Sequence, residues 1–237
     1  MIGKTIGSAL LLGAVHGIRL ELEATATAQA FHGIASDSAY SKNNKAVIDA
    51  AINAGTVFTD ADFPADNNSL GVVGGDTAAG AAGTGSGGVS WTRAKDIYPG
   101  KTLKLFAGSE TWSTMQQGTM GDCYLLATLV AFDARPGALE RLWYTQTANA
   151  AGIYAMKFHI GGEERLVYVD DNLPTRNGRL TYANSRIEGE LWPPLAEKIW
   201  AKLVGSYAAI EAGNSVWVLK YLTDDPVQHF RPRNMTE

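Results

Sequence analysis

Gln117-Gly118-Thr119-Met120-Gly121-Asp122-Cys123-Tyr124-Leu125-Leu126-Ala127 holds the only cysteine of the chain. Gly118 and Gly121 permit a tight backbone approach, and Asp122 is a residue type that caps helices. Leu125, Leu126, Leu129 and Val130 follow as an apolar run that would pin a helix into a core. The pattern predicts a helix with Cys123 in its first turn. A thiol there meets unpaired N–H groups and the positive end of the helix dipole, both of which favour thiolate. Rigid backing behind an exposed tip is how a nucleophile is built. The competing reading is a small core residue, because free cysteine is among the most buried residue types.

Working outward, five further segments stand in order. They are Phe58-Thr59-Asp60-Ala61-Asp62-Phe63-Pro64 with Ser69-Leu70, then Ser90-Trp91-Thr92-Arg93, then Leu166-Val167-Tyr168-Val169-Asp170-Asp171-Asn172-Leu173-Pro174. Glu190-Leu191-Trp192 through Glu197-Lys198 follows, and then Ala201-Lys202 with Gly205-Ser206-Tyr207. Together with the cysteine stretch, over roughly residues 57 to 223, they resemble the calpain-type, papain-like cysteine peptidases. The resemblance implies the nucleophile-bearing lobe of a catalytic domain. Cys123 would attack the scissile carbonyl, and Gln117, six positions earlier, would stabilise the oxyanion together with the cysteine's own N–H. The implied activity is that of a cysteine endopeptidase acting on polypeptides. The alternative is a catalytically inactive calpain-like binding or regulatory module.

Such a peptidase also needs a base, normally a histidine oriented by an amide or carboxylate. In the family both partners come from a second lobe, in His-Ala-Tyr and Asn-Pro-Trp-Gly type segments, and neither segment occurs in this sequence. His159 shares the polar face of an expected strand with Lys157, and His229 lies in a polar, proline-flanked tail. His16 falls in a segment that reads as a signal, and His32 in an alanine-rich stretch. Lone histidines are usually solvated or structural. The expectation is half an active site, with the His/Asn lobe supplied in cis or in trans and little activity in this chain alone.

The resemblance also brings calcium into view, as a regulator and not as a participant in the chemistry. Glu190 matches a calcium-binding glutamate of the family. The earlier acidic position, nine residues before the cysteine, is Thr114, and a basic residue near it is replaced by Trp112. Calcium prefers several oxygens including carboxylates, so this loss weakens the case. A capping or surface carboxylate is the competing reading of Glu190. Asp170-Asp171 is expected to organise the turn into Asn172-Leu173-Pro174.

A formal charge of −4 over 237 residues leaves no basic stripe to neutralise phosphates, which argues against a nucleic-acid partner. One cysteine excludes an internal disulfide and a cysteine-rich zinc site. Lys4, the apolar run Ile6 to Val15 and the small residue Gly17 read as a secretory signal peptide over residues 1–17, too short to span a bilayer. A buried or amphipathic N-terminal helix is the other reading. The signal would place the protein outside the cell or in vesicles, and the alternative in the cytoplasm. The sequons Asn67-Asn68-Ser69 and Asn234-Met235-Thr236 are compatible with export.

Residues 18–56 are alanine-rich and carry no evident chemistry, with a short helix expected over 44–54. The catalytic lobe is expected over 57–223, interrupted by a Gly/Ala-rich flexible loop over 71–88, with a tail at 224–237. Tyr154, Met156, Phe158 and Ile160 alternate with polar residues, and Gly161-Gly162 predicts a hairpin to Leu166–Val169. Pro193-Pro194 starts a helix with a stripe of Leu195, Ile199, Leu203 and Tyr207 that ends by Gly213. The predicted class is α+β, mainly helical, with one small antiparallel hairpin and the second lobe absent from this chain.

Overall fold

Asn44 to Ala54 folds as helix α1 (Asn44–Ala54), closed by Gly55 in the left-handed conformation that glycine adopts without cost. A short helix, α2 (Asn67–Leu70), follows; Asp66 caps it by accepting from the N–H groups of Asn68 and Ser69. The two-residue strands β1 (Val72–Val73) and β2 (Asp76–Thr77) pair with each other. Then come β3 (Ser90–Arg93), α3 (Ala94–Ile97), β4 (Met115–Gln116), α4 (Cys123–Asp133) and α5 (Ala138–Arg141). The long hairpin is β5 (Ile153–Ile160) and β6 (Glu163–Asp170), and β7 (Asn172–Arg176), β8 (Arg179–Leu180) and β9 (Asn184–Ser185) follow it. The last helices are α6 (Trp192–Val204) and α7 (Ser215–Thr223). This computed structural model describes residues 37–73, 76–77, 88–108, 113–223 and 225–226. The expected signal peptide, most of the Gly/Ala-rich loop, most of the tail, Trp112, His16, His32 and His229 lie outside the described residues.

The expectation of a mainly helical lobe with one hairpin is met only in part. The described residues hold seven α-helices and nine short strands in four small antiparallel sheets. The extra sheets are ladders of two to four residue pairs that carry no alternating pattern long enough to read. Gly161 and Gly162 do close the β5–β6 hairpin, both at positive φ, as a tight two-residue turn requires.

The hairpin is buried on both faces along its first half. Tyr154, Met156, Phe158, Val167 and Val169 face the main core. Ile153, Ala155 and Tyr168 face a second cluster with Ile48 of α1. The alternation in the sequence is therefore softer than that of a half-exposed strand, since the small or apolar residues at 153 and 155 occupy what would be the polar face.

Helix α6 is the axis of the fold, and all thirteen of its residues are buried. Its start fits Pro193-Pro194 in the first turn. Its end differs from expectation: Gly205 stops the helix, so Tyr207 lies beyond it. Tyr207 is buried all the same, stacked on Tyr182 at 4.8 Å between ring centroids. Gly213 serves instead as a close approach, where an added Cβ would stand 2.3 Å from the Tyr124 ring.

A helix polar at three positions and buried at all of them must satisfy each charge internally. Lys198 donates to Asp170 Oδ1 at 2.6 Å and to the carbonyls of Asp170 and Asn172. Lys202, one turn on, donates to both Asp60 carboxylate oxygens at 2.7 and 2.9 Å and to Tyr168 O. Asp170 Oδ2 accepts from Asp60 N, and Arg93 pairs with Asp171 at 2.7 Å while reaching Phe58 O. Asp170 also accepts from Asn172 N, the turn role expected of it. Segments far apart in sequence thus converge on one buried network beside α6. Burial alone would push the Asp170 carboxyl up, but Lys198 and the two backbone N–H groups hold it below the usual carboxylate value. Asp60 goes the other way, because its burial outweighs the pull of Lys202.

Candidate active site

Cys123 opens helix α4 and is exposed. The reading of a buried core cysteine is therefore excluded. Leu125, Leu126 and Leu129 are buried behind it, as the sequence pattern required, while Val130 is only half-buried. Asp122 O accepts from Leu125 N at 2.8 Å and Leu126 N at 3.3 Å, which starts the helix. The N–H groups of Cys123 and Tyr124 precede these bonds and find no backbone acceptor among the described residues. They are the donors that a helix leaves over at its N-terminus.

Asp122 occupies the capping position, but its side chain makes no capping hydrogen bond. The carboxylate turns inward and is fully buried, toward Glu197 of α6. This departs from the expectation of an ordinary cap, and the reason is packing: α4 lies against α6, and the Asp122 side chain fills the contact.

Gln117 stands on an exposed stretch that follows β4, whose Gln116 pairs with Asn184 of β9. Its Nε2 donates to Met120 O at 2.7 Å, which folds the amide back toward the turn before Cys123. An amide nitrogen has two hydrogens, so one remains for another acceptor. Gly118 makes the path possible. A Cβ there would stand 2.2 Å from Tyr182 O, and Thr119 N and Oγ1 both donate to Thr181 O alongside. Tyr124 locks the other side of the turn, donating its hydroxyl to Ile210 O and accepting from Trp200 Nε1 at 3.0 Å.

His159 is not brought to the cysteine. It sits at the turn end of the hairpin, opposite Glu164, and no hydrogen bond joins it to Cys123. Among the described residues no histidine stands as a base for the thiol.

Glu190 is fully buried and its carboxylate accepts from three donors among the described residues. Ala107 N donates to Oε1 at 2.8 Å, while the hydroxyls of Thr114 and Ser185 donate to Oε2 at 2.6 and 2.5 Å. Calcium asks for six to eight oxygens, usually with more than one carboxylate. Among the described residues one carboxylate stands here, with an N–H pointing at it, and no group of three His, Cys, Asp or Glu side chains suited to a metal occurs. Through these bonds Glu190 acts as a structural clamp that ties the 105–107 segment, β4 and β9 together just before Gln117.

Sequence reasoning missed two things at this site. One is the buried pairing of Asp122 with Glu197. The other is the network of Asp60, Arg93, Asp170, Asp171, Lys198 and Lys202 that braces the scaffold. A signal for both was present: Glu197, Lys198 and Lys202 interrupt a helix that is apolar on all sides, and such charges must find partners inside. No helix among the described residues is long and apolar enough to cross a membrane.

The family model for "Calpain family cysteine protease" matches residues 58–237. Mouse calpain-8 is 34% identical over 168 residues, covering 70% of this chain and 23% of the relative. Human calpain-9 is 31% identical over 189 residues, 78% of this chain and 26% of its own length. The human calpain-2 catalytic subunit is 33% identical over 172 residues, 71% of this chain and 24% of its own length. The chain spans about a quarter of the length of the curated relatives it matches. The match begins at the segment whose Asp60 anchors the buried network, and it includes Gln117 and the exposed Cys123 at the head of its helix. By sequence match, this chain belongs to the calpain family of cysteine proteases.

Proposed function

We propose that this chain supplies the nucleophile half of a calpain-type cysteine endopeptidase. The observation that carries the reading is the exposure of Cys123 at the opening of α4, with a buried helix behind it and Gln117 folded against the preceding turn. The thiolate attacks the scissile carbonyl carbon, and the C=O electron pair moves onto oxygen. Cys123 N–H and the remaining Gln117 Nε2 hydrogen stabilise that oxyanion. Collapse expels the amine, protonated by a histidine of the second lobe, and water then releases the acyl group. That histidine and its asparagine come from residues outside this chain, in cis or in trans, so the chain alone has little activity. Calcium takes no part in this scheme.

The test uses protein that contains both lobes. Alkylation at Cys123 and cleavage of unfolded polypeptides are expected, with cleavage abolished by Cys123→Ala. Normal cleavage by that variant would sink the proposal.

A second reading, an inactive binding or regulatory module, is favoured by one observation: no described histidine reaches Cys123. It predicts a sluggish thiol, because a helix terminus alone activates cysteine less than an imidazolium partner does. Rapid and selective alkylation of this chain excludes it. Export follows if residues 1–17 act as a signal. A native N-terminus near Ile18 is then expected, and one at Met1 overturns it.

A further inference from the structure

Three carboxylate oxygens at one contact have no donor. Both oxygens of Asp122 and Oε1 of Glu197 are buried without a hydrogen-bond partner, and the two side chains are 0% and 1% exposed. Ionised carboxylates only accept hydrogen bonds, so two of them facing each other in a dry contact leave every one of these oxygens unsatisfied. Glu197 Oε2 is different, since it accepts from Ala183 N at 3.0 Å. Oε1 is thus the free end of Glu197, and it interacts with the Asp122 carboxyl. A single proton resolves the arrangement. It turns one acceptor into a donor and removes one of two buried like charges.

We propose that Asp122 and Glu197 share one proton, carried on Glu197 Oε1 and directed at Asp122, and that this bond positions the first turn of α4 and with it Cys123. Asp122 is the residue through which positioning would act. Its carbonyl receives the first two hydrogen bonds of the helix, and the next residue is the cysteine. Glu197 in turn is held by its place on α6 and by the Ala183 N–H, so the bond joins the nucleophile's turn to the helix whose residues are all buried. The inference rests on the reading of Cys123 as nucleophile only for its functional half.

The surroundings leave the pair to itself. On α4 the neighbours are Cys123 and the Tyr124 phenol. Tyr182 and Tyr207 face Glu197 from the segments after β8 and α6, with Arg176 acting on Tyr182 from beyond it. Glu211 lies behind Gly121. Lys198 and Lys202 of α6 are turned to Asp170 and Asp60. Among the described residues no cation forms an ion pair with either carboxyl. Burial, with the Asp122 charge adding to it, raises Glu197 well above its ordinary value. Asp122 is raised by burial too, with Glu197 and then its own backbone acting against the rise.

The experiment compares the wild-type chain with Glu197→Gln, whose amide donates permanently, and with Glu197→Met, which fills the same space and has no proton to share. Stability is read from urea melts by tryptophan fluorescence across pH 5 to 9. Above the ordinary glutamate value the unfolded chain has lost a proton that the folded chain keeps. The wild-type unfolding constant therefore rises with pH relative to Glu197→Gln, by up to about tenfold per pH unit, until the folded pair itself ionises. Parallel curves for the two proteins overturn the shared proton. The positioning half is read from the iodoacetamide rate at Cys123, followed by intact mass at neutral pH. Glu197→Gln is expected within twofold of wild type and Glu197→Met severalfold slower. Equal rates in all three overturn positioning, and a thiol unreactive in all three overturns the nucleophile reading as well. Should Glu197→Met not hold the fold, the wild-type and Glu197→Gln stability curves decide alone.

Discussion

Lys198 Nζ lies 2.6 Å from Asp170 Oδ1, with both side chains almost completely removed from solvent. Removing one partner of such a pair strands the other charge in a dry interior. Lys198→Met is expected to cost about 3–5 kcal/mol in urea unfolding, and Lys198→Met with Asp170→Asn less than the sum of the two single changes. Additive costs would show that the two groups do not depend on each other.

The same carboxylate sets an acid limit. Its folded value lies below its unfolded one, so the stability it contributes is present above the ordinary aspartate value near 4 and is lost as pH falls through the folded value. Stability curves measured from pH 6 down to pH 2 are expected to fall more steeply for wild type than for Asp170→Asn. Curves of equal slope would remove Asp170 from the acid response.

Gly118→Ala is the sharpest steric test of the Gln117 segment. The new methyl would meet the Tyr182 carbonyl at 2.2 Å, and backbone cannot yield as a flexible side chain can. A loss of about 1–3 kcal/mol is expected, with a displaced Gln117. In protein carrying both lobes, kcat should fall more than KM rises. A variant with wild-type stability and kcat would mean that the two segments stand further apart.

Gln117→Ala in the same two-lobed protein is expected to lower kcat by about 10²–10³, the usual consequence of removing an oxyanion donor, with little change in KM. Loss confined to KM would assign Gln117 to substrate binding instead.

Glu190 offers a metal-independent prediction. Glu190→Ala orphans three donors in a buried site and should cost about 3 kcal/mol or more, with Glu190→Gln retaining part of the stability. Millimolar calcium is expected to leave the melting temperature of the wild-type chain unchanged. A calcium-dependent rise that Glu190→Gln abolishes would assign Glu190 to a calcium site instead.

What could be read in the sequence was local. The helix at Cys123, its leucine backing, the 44–54 helix and the two-glycine hairpin turn each rest on residues within a few positions of one another. Tertiary pairings left weaker traces. Asp122 reads as a cap from its neighbours, yet it is claimed by Glu197, seventy-five positions away. The helix with Pro193-Pro194 ends at Gly205 and not near Gly213, because Ser206 and Tyr207 are held by contacts outside the helix: Tyr207 N donates to Ser69 O. Glu190 reads as a metal ligand or a surface carboxylate, and only the fold brings Ala107, Thr114 and Ser185 to it.

Helix α1 lies upstream of the residue at which the family match begins, yet Ile48 seals the face of the hairpin that Ile153, Ala155 and Tyr168 would otherwise open to water. The segment matched by the family model and the folding unit therefore have different left-hand edges. A gene fragment trimmed at Phe58 on grounds of homology would express a lobe with a raw greasy flank, and its insolubility could be mistaken for the want of a partner.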